Sequence, residues 1–245
     1  MQIIAHSLRH LADALFPGKC ILCGSIVTDA PWYPAPLCEI CERTLERISG
    51  PRCICCGRSL ISEAGLCMHC REHSMELRHV VPVFRYAGSA ARLIKAYKME
   101  ERRSLAVYLA QALINVLPIA LGTDEAQASA LSDLCIVPVP PRPEKIRAGG
   151  FDQVGCLAQL MAGEGFSVWN GLERCSNVEQ KTLARDQRFE NARSAYSIRD
   201  GAPELPRRVL LLDDVCTTGA TLDACRNILS SRGVKVEGAL VLAAD

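Results

Sequence analysis

The C-terminal two thirds of the chain contain two kinds of hydrophobic pattern. Continuous apolar runs of strand length occur in LCIVPVPP, RRVLLLDDV and VEGALVLAA. Between these runs, QVGCLAQLMAGEG and ATLDACRNILSSRG carry apolar residues at helical spacing. Continuous hydrophobicity is typical of strands that are covered on both faces. The pattern therefore predicts an α/β fold with a doubly wound, mostly parallel sheet over residues 76–245.

The hydrophobic pattern predicts further elements in the preceding part of the chain. VVPVFRYAG predicts a strand, and SAARLIKAYKMEERRSLAVYLAQALINVL predicts a helical region that is interrupted near Glu100. Ile4, Leu8, Leu11 and Leu15 recur at helical spacing, unlike the continuous apolar core of a signal peptide. Because no stretch approaches the roughly 18 uninterrupted apolar residues of a membrane span, the chain is predicted to be cytoplasmic.

Composition adds one unusual feature, the cysteines. The chain has 245 residues, is 49% hydrophobic and carries a formal net charge of +1, which is typical of a globular protein rather than a strongly basic nucleic-acid binder. It has 14 cysteines, and nine of them fall between Cys20 and Cys70. Disulfides are rare in a reducing compartment, so clustered cysteines there indicate metal binding.

Four C-x-x-C pairs account for eight of these nine cysteines. The first and third pairs, CILCG and CICCG, end in a glycine that suits the tight turn of a zinc knuckle, whereas CEIC and CMHC lack that glycine. The stretch CEICERTLERI also has the spacing of a helix that begins at the ligands. The knuckles start 33 residues apart and form an internal repeat. We therefore predict a zinc-binding domain over residues 1–75 with two zinc ions, one at Cys20, Cys23, Cys38 and Cys41, the other at Cys53, Cys56, Cys67 and Cys70.

Two alternatives remain at this stage. The pairs could bind zinc in a cross-braced arrangement, and His69 or His73 could replace a cysteine as a ligand. Cys55 is surplus to either arrangement. Residues 1–75 carry seven Lys/Arg and seven Asp/Glu, which favours a structural role over a dedicated phosphate-binding face.

The segment VLLLDDVCTTGATL carries the second candidate site. Val209–Leu212 predicts a central strand, and Asp213 and Asp214 would emerge at its carboxyl edge, where α/β sheets bind ligands. Small residues and a following helix start let backbone N–H groups approach an anion. The predicted phosphate loop consists of Thr217, Thr218, Gly219, Ala220 and Thr221. The two carboxylates would accept hydrogen bonds from sugar hydroxyls or interact with magnesium through water.

At these residues the chain resembles the type I phosphoribosyltransferases, whose signature for phosphoribosyl diphosphate (PRPP) is a hydrophobic strand, two acids and T-T-G-x-T. Together with the cysteine pairs, it resembles the competence protein F family (ComF, also called GntX-like) over nearly all of its length. The resemblance implies a zinc-binding N-terminal region, a phosphoribosyltransferase-like domain that binds PRPP with magnesium, and an association with DNA uptake.

Other landmarks follow the family's order. IVPVPPRPEKIRAGGFDQ resembles the pyrophosphate-side loop, which would place Arg142, Lys145 and Arg147 near a diphosphate. LIKAYKMEERR resembles the lysine-containing helix, with Lys95 and Lys98 facing an anion, or a solvated helix face instead. GLERCSNVEQKTLARDQRFENARSAY resembles the mobile loop, with Gln180, Leu183, Arg188 and Asn191. The chain departs from the family at Gly149, Asp152, Cys175 and Asn177, where arginine, asparagine, arginine and threonine are usual.

Two functional hypotheses follow from the sequence. The first is a magnesium-dependent phosphoribosyltransferase, with Asp213 and Asp214 in the active site and an unidentified acceptor. The second is a zinc-dependent single-stranded DNA-binding protein that uses the PRPP fold as a scaffold or regulatory site, with competence or DNA-uptake proteins as partners. Phe84, Tyr86 and Tyr97 are interleaved with basic residues, as in some DNA-binding grooves, although aromatic residues in strands usually belong to the core.

Overall fold

A computed structural model describes residues 18–27, 36–60, 65–72, 75–121, 133–175 and 195–245. The helix predicted from Ile4, Leu8, Leu11 and Leu15 lies outside the described residues. So do His73 and the loop segment that carries Gln180, Leu183, Arg188 and Asn191.

The described residues of the cysteine-rich part form four short elements. Strands β1 (Gly18–Lys19) and β2 (Ile26–Val27) pair antiparallel on either side of the first knuckle. Helices α1 (Glu39–Arg43) and α2 (Met68–Glu72) begin next to the second and fourth cysteine pairs. The spacing of CEICERTLERI predicted a helix at this position, and α1 confirms it.

The other described elements are both strands and helices. In chain order they are β3 (Val80–Arg85), α3 (Gly88–Met99), a 3-10 turn (Arg103–Leu105), α4 (Ala106–Asn115), α5 (Leu117–Leu121), β4 (Leu134–Pro138), α6 (Pro143–Arg147), α7 (Gln153–Gly163), β5 (Ser167–Val168), β6 (Leu172–Arg174), β7 (Tyr196–Ile198), β8 (Arg208–Cys216), α8 (Ala220–Ser230) and β9 (Lys235–Ala244). The predicted interruption near Glu100 is confirmed, because α3 ends at Met99. None of the described helices is long and apolar enough to cross a membrane.

Five strands form one parallel sheet in the order β3-β9-β8-β4-β5. The three central strands are the three apolar runs that the sequence identified, and β8 pairs with β4 through Leu212↔Pro138 and with β9 through Leu212↔Leu240. Helices cover both faces of the sheet. The predicted fold class, a doubly wound and mostly parallel sheet beside a cysteine-rich region, is confirmed.

Alternate residues of the central strands face two separate cores. Leu210 and Leu212 of β8 join the first core, which helices α3, α4 and α7 cover. Val209 and Leu211 join the second core, which contains residues of α8 and of strands β6 and β7, which pair antiparallel. We call these the first and second faces of the sheet. Side chains on both faces are fully buried, which accounts for the continuous hydrophobicity of the strands.

Strand β8 is longer than predicted. The sequence placed its end at Leu212, but it continues to Cys216, and Asp213 and Val215 pair with Val241 and Ala243 of β9. The two aspartates therefore lie inside the strand's last part rather than beyond it. The hydrophobic pattern missed this because polar side chains at a carboxyl edge interrupt the apolar run without interrupting the backbone pairing.

The cysteine-rich part makes backbone contacts with the sheet. Ile48 N–H donates to Val83 O at 3.1 Å, and Arg85 N–H donates to Glu46 O at 2.8 Å. Residues 46–48 thus run along β3, the edge strand, whose Pro82 is tolerated at that position. The division into domains at residues 75 and 76 stays a prediction.

Candidate functional site

The eight paired cysteines form two clusters. Cys20, Cys23, Cys38 and Cys41 bring their sulfurs within 4.8 Å of one another, and so do Cys53, Cys56, Cys67 and Cys70. We call them the first and second clusters. The Sγ atoms of Cys23 and Cys38 are 3.7 Å apart and those of Cys56 and Cys67 are 3.6 Å apart. Four sulfurs around a tetrahedral zinc ion lie about 3.8 Å from each other, so both clusters fit zinc.

The two knuckles have the same backbone geometry. Cys20 N–H donates to Ser25 O at 2.8 Å in the first, and Cys53 N–H donates to Arg58 O at 2.8 Å in the second. Gly24 and Gly57 both have left-handed φ values, 77° and 70°. A glycine suits this turn because the left-handed region is unfavourable for residues with a Cβ. The internal repeat in the sequence is therefore also a repeat in structure.

The electrostatics of the clusters favour a cation between the sulfurs. Burial, reinforced by neighbouring thiols, raises the pKa of Cys41 and Cys70 far above the ordinary thiol value of 9.0. Burial also raises the pKa of Cys56 to about 12. In contrast, hydrogen bonds with Ser25 lower the pKa of Cys23 to about 6, and against the effect of burial, backbone hydrogen bonds lower the pKa of Cys53 to about 6. Four thiolates this close repel one another, and a dication offsets that repulsion. Cys55 belongs to neither cluster, and its Sγ accepts a hydrogen bond from Arg78 Nη1 at 2.9 Å.

The aspartate pair lies at the carboxyl end of β8. Asp214 N–H donates to Asp213 Oδ1 at 2.8 Å, and Val215 N–H donates to Asp214 Oδ1 at 2.6 Å. Lys98 Nζ, from the last turn of α3, lies 2.6 Å from Asp214 Oδ2. The side chain of Asp214 is 16% exposed. The structure thus places the predicted Lys98 directly beside the acidic pair.

The two carboxyl groups influence each other's ionisation. Burial raises the pKa of Asp213 from 3.8 to about 7, and the charge of Asp214 adds to this effect. The Asp214 N–H group, Lys98 and Arg174 act in the opposite direction. Asp213 therefore changes charge near neutral pH, where a ligand with hydroxyl groups or a cation would favour its ionised form.

The predicted phosphate loop connects β8 to α8. Thr217 and Thr218 are exposed, Gly219 has φ 78° at the N-cap of α8, and Ala220 begins the helix. Thr221 lies in the first helical turn. The loop thus combines exposed hydroxyl groups with the partial positive charge of an eleven-residue helix, an arrangement that can hold an anion.

Sequence reasoning missed a glutamine that bonds the side chain of Lys145 and the backbone of Lys98. Gln153 is 4% exposed, and its Nε2 donates to Lys98 O at 2.9 Å. Its Oε1 accepts a hydrogen bond from Lys145 Nζ, and its backbone carbonyl accepts one from Tyr97 Oη at 2.8 Å. Burial, followed by the charge of Lys98, lowers the pKa of Lys145. The buried amide thus holds the Lys145 ammonium and the backbone of Lys98, while Asp214 pairs with the Lys98 ammonium.

Arg147 and Asp152, two other residues of the predicted pyrophosphate-side loop, have different environments. Arg147 is exposed, and its nearest ionic partner among the described residues is Glu144 at 3.9 Å. No described contact connects Arg147 to the acidic pair, so its predicted phosphate role stays a prediction. Asp152, which stands where the family usually has asparagine, caps α7 by accepting a hydrogen bond from Gly155 N–H at 2.9 Å. Asparagine makes the same cap, which explains why this departure preserves the local structure.

The cysteine-rich region is similar to a known zinc-binding domain. Residues 11–71 match the family described as the double zinc ribbon domain. This range contains all eight ligand cysteines. Two zinc-binding cysteine clusters are therefore supported by sequence similarity and by geometry.

A solved structure of orotate phosphoribosyltransferase from Aeropyrum pernix is a weak match. It has a TM-score of 0.32 and 21% identity, and covers 63% of this chain and 64% of that chain. The parallel sheet of the present chain is established by its own strand pairing.

Curated relatives match most of the chain. Competence protein F of Haemophilus influenzae is 26% identical over 208 residues, 81% of this chain and 86% of that protein. Competence protein ComFC of Streptococcus pneumoniae is 24% identical and covers 89% of this chain and 96% of that protein. DNA utilization protein YhgH of Escherichia coli is 26% identical, covering 89% and 92%. The resemblance to the competence protein F family is thereby confirmed over more than four fifths of the chain.

Proposed function

We propose that this protein binds PRPP, or a related ribose phosphate, together with magnesium, and acts in DNA uptake or in DNA and nucleotide metabolism. One observation carries the proposal: a partly buried acidic pair at the carboxyl end of a central strand leads into an exposed, hydroxyl-rich loop at a helix N-terminus. An anion held at the loop would place an attached sugar within reach of the carboxylates.

Each group of the site has a proposed role. The N–H and hydroxyl groups of Thr217, Thr218 and Thr221 would bind the 5-phosphate. Asp213 and Asp214 would accept hydrogen bonds from the ribose hydroxyls, as carboxylates do when ionised. Magnesium, when bound with the ligand, supplies positive charge that neutralises the diphosphate oxygens.

Lys98 and Lys145 are the proposed diphosphate-side cations. Lys98 is ion-paired with Asp214 at 2.6 Å, and Gln153 links it to Lys145. A diphosphate near Asp214 would find two ammonium groups already held by hydrogen-bond partners, Lys98 by Asp214 and Lys145 by Gln153. Such preorganised charge is what stabilises a departing diphosphate, so phosphoribosyl transfer is the reaction class that this arrangement favours.

Calorimetric titration with PRPP and magnesium tests the binding proposal. We expect wild-type protein with two zinc ions to bind, and Asp213→Asn/Asp214→Asn to bind at least about tenfold more weakly, because two charge-assisted hydrogen bonds are weakened. Asp200→Asn is the matched control, since Asp200 is an exposed acid distant in sequence from the loop. The absence of wild-type binding, or equal binding by wild type and the double variant, would contradict the proposal.

A test of transfer follows from a positive titration. Release of pyrophosphate from PRPP in the presence of candidate acceptors would show catalysis, and its loss in Lys98→Ala would show that the cation acts on the leaving group. A protein that binds PRPP and never releases pyrophosphate would be a PRPP-binding protein without transferase activity.

The names of the relatives support a second proposal, that the chain binds single-stranded DNA and acts with competence or DNA-uptake proteins. The aromatic residues of the chain support DNA binding less than the sequence indicated. Phe84 and Tyr97 are fully buried, so of the three interleaved aromatics only Tyr86 has an exposed part. We expect retardation of single-stranded DNA that weakens as salt increases. No binding at low salt would contradict this proposal.

A further inference from the structure

The second zinc knuckle contacts the phosphate loop directly. Arg58, two residues after the ligand Cys56, donates from Nη2 to the backbone carbonyl of Thr217 at 2.7 Å. We propose that the second knuckle and the segment that follows the second cluster position this loop, with Arg58 and Met75 as the positioning residues. The effect on ligand binding in this inference rests on the proposed ribose phosphate binding, whereas the ordering of the loop does not depend on it.

The Arg58 hydrogen bond fixes the orientation of a peptide group that the phosphate would use. In a planar trans peptide the C=O and N–H bonds point in opposite directions. Holding Thr217 C=O towards Arg58 therefore turns the Thr218 N–H to the other side of the chain. This N–H has no acceptor among the described residues, which leaves it available to an anion.

Met75 makes a second contact with the loop. A Cβ added to Gly219 would lie 2.5 Å from Met75 Sδ and 2.7 Å from Met75 Cε, so the methionine side chain packs against the glycine backbone. Met75 is 5% exposed and belongs to the same core as Cys53, Cys56 and Cys70. The left-handed φ of 78° favours glycine at this position, and a Cβ there would also displace the flexible end of the Met75 side chain.

A third set of contacts fixes the helix that follows the loop. The carboxylate of Asp223, in the first turn of α8, accepts hydrogen bonds from Glu76 N–H at 3.1 Å and from Leu77 N–H at 2.6 Å. One turn later, Arg226 Nη1 lies 3.0 Å from Glu76 Oε2. The chain leaving the second cluster is thus tied to the helix whose N-terminus would bind the phosphate.

The internal repeat provides a comparison for Arg58. The residue after the knuckle glycine is Ser25 in the first knuckle and Arg58 in the second, and both backbone carbonyls accept the same 2.8 Å hydrogen bond from the knuckle's first cysteine. Serine therefore satisfies the knuckle itself. The long arginine side chain at this position serves a contact outside the knuckle, namely the Thr217 carbonyl.

The experiment uses Arg58→Ser, which gives the second knuckle the residue of the first, and Arg58→Lys, which keeps a donor. Arg43→Ser is the control, because Arg43 lies two residues after Cys41 of the first cluster and pairs with Glu39. Zinc content, hydrogen exchange of residues 217–221 without ligand, and calorimetric binding of ribose 5-phosphate are measured for each. We expect two zinc ions per chain throughout.

In Arg58→Ser we expect hydrogen exchange of residues 217–221 to be about tenfold faster, because one charge-assisted hydrogen bond to the loop is lost. For the same reason we expect ribose 5-phosphate to bind about tenfold more weakly. Arg58→Lys should recover part of both effects, and Arg43→Ser should resemble wild type. Unchanged exchange in Arg58→Ser overturns the inference, even if binding falls, because Arg58 would then act on the ligand itself.

The two proposals fail in different ways. If wild-type protein does not bind ribose 5-phosphate, the proposed function loses its support, and the exchange experiment still decides whether Arg58 orders the loop. If wild type binds and Arg58→Ser exchanges and binds like wild type, the proposed function stands and the positioning role is wrong.

Discussion

The two zinc clusters have the same ligands and the same knuckle hydrogen bonds, but they cover opposite faces of the sheet. The first cluster contributes Cys20 and its neighbours Leu22 and Leu45 to the core beneath α3 and α4. The second contributes Cys53, Cys56 and Cys70 to the core that holds residues of α8. Identical metal sites can therefore have different roles, which are decided by the side chains that extend from each knuckle.

The contacts of the two clusters make this difference specific. On the first face, Arg92 Nη2 of α3 donates to Leu22 O at 2.7 Å, and Tyr108 Oη of α4 donates to the Glu42 carboxylate. These contacts join the cluster to helices. On the second face, Arg58 and Met75 contact the loop between β8 and α8. We infer that the first cluster stabilises the fold, and that the second also orders the candidate site.

Removing ligands from one cluster at a time should have the largest effect. Cys56→Ser/Cys67→Ser should lose one zinc ion and bind ribose 5-phosphate at least about tenfold more weakly, because the cluster that carries Arg58 loses its metal. Cys23→Ser/Cys38→Ser should also lose one zinc ion, with a loss of stability on the order of 5 kcal/mol in both variants. Metal analysis, chemical unfolding and calorimetry measure these quantities.

We expect the first-cluster variant to keep ribose 5-phosphate binding within about twofold of wild type under conditions where it remains folded. Equal loss of binding in both variants would contradict the comparison between the two clusters. Should either double variant fail to fold, Arg58→Ser and Arg43→Ser test the same difference with both zinc ions bound.

The second largest effect should come from replacing a knuckle glycine with alanine, which should reduce stability more in the second knuckle than in the first. In Gly57→Ala the new Cβ would overlap the Val80 carbonyl oxygen and the Pro82 ring, in addition to the left-handed φ, so we expect a loss of about 3 kcal/mol or more. Gly24→Ala has no atom within 4 Å of the new Cβ and should lose only about 1 kcal/mol for its φ. Urea unfolding of the two variants measures this difference, and equal losses would show that packing around Gly57 relaxes.

The ionisation of Asp213 should have a smaller effect, one that depends on pH. Its folded-state pKa of about 7 exceeds its ordinary value of 3.8, so protonation stabilises the native state and this stabilisation is lost as pH rises from about 4 through about 7. We expect the free energy of unfolding of Asp213→Asn, measured relative to wild type, to increase over that range. A difference that stays constant with pH would contradict the raised pKa.

The other charged groups facing Asp213 are Asp214, Lys98 and Arg174. The raised pKa of Cys216 and Cys225 keeps both nearby thiols neutral over this pH range, as does the raised pKa of Tyr196 for its phenol. The pH dependence should therefore be the same in Arg43→Ser and in wild type, because the first cluster contributes no charge to this set.

The smallest effect should come from Arg43→Ala. Its ion pair with Glu39 spans one turn of α1, and both side chains are more than three quarters exposed, at 77% and 78%. Solvent screens such a pair, so we expect a change of about 0.5 kcal/mol or less in the free energy of unfolding. A larger change would show that the outer surface of the first cluster has a role that its described contacts do not indicate.

The hydrophobic pattern predicted the sheet well but not its details. The strands β3, β4, β8 and β9 and the interruption after Met99 followed from periodicity, because burial on both faces leaves continuous apolar runs. The short strands β5, β6 and β7 were not predicted. Two or three residues are too few to produce a pattern, and such strands form because neighbouring strands are already in place.

The candidate site was predicted in part. Asp213, Asp214 and the loop from Thr217 to Thr221 were visible because a strand, two acids and small residues are contiguous in sequence. Gln153 was missed, since a single glutamine at a helix start carries no signal until the fold brings it beside Lys98 and Lys145.

The sequence by itself determined which cysteines form the C-x-x-C pairs and which strand carries the acidic pair, because both depend on local spacing and hydrophobicity. The grouping of those pairs into two clusters without cross-bracing came from the tertiary structure. Only the tertiary structure decided that the two clusters cover opposite faces and that Arg58 reaches Thr217, 159 positions further along the chain. Contacts of that separation arise from the packing of whole elements, and no short segment encodes them.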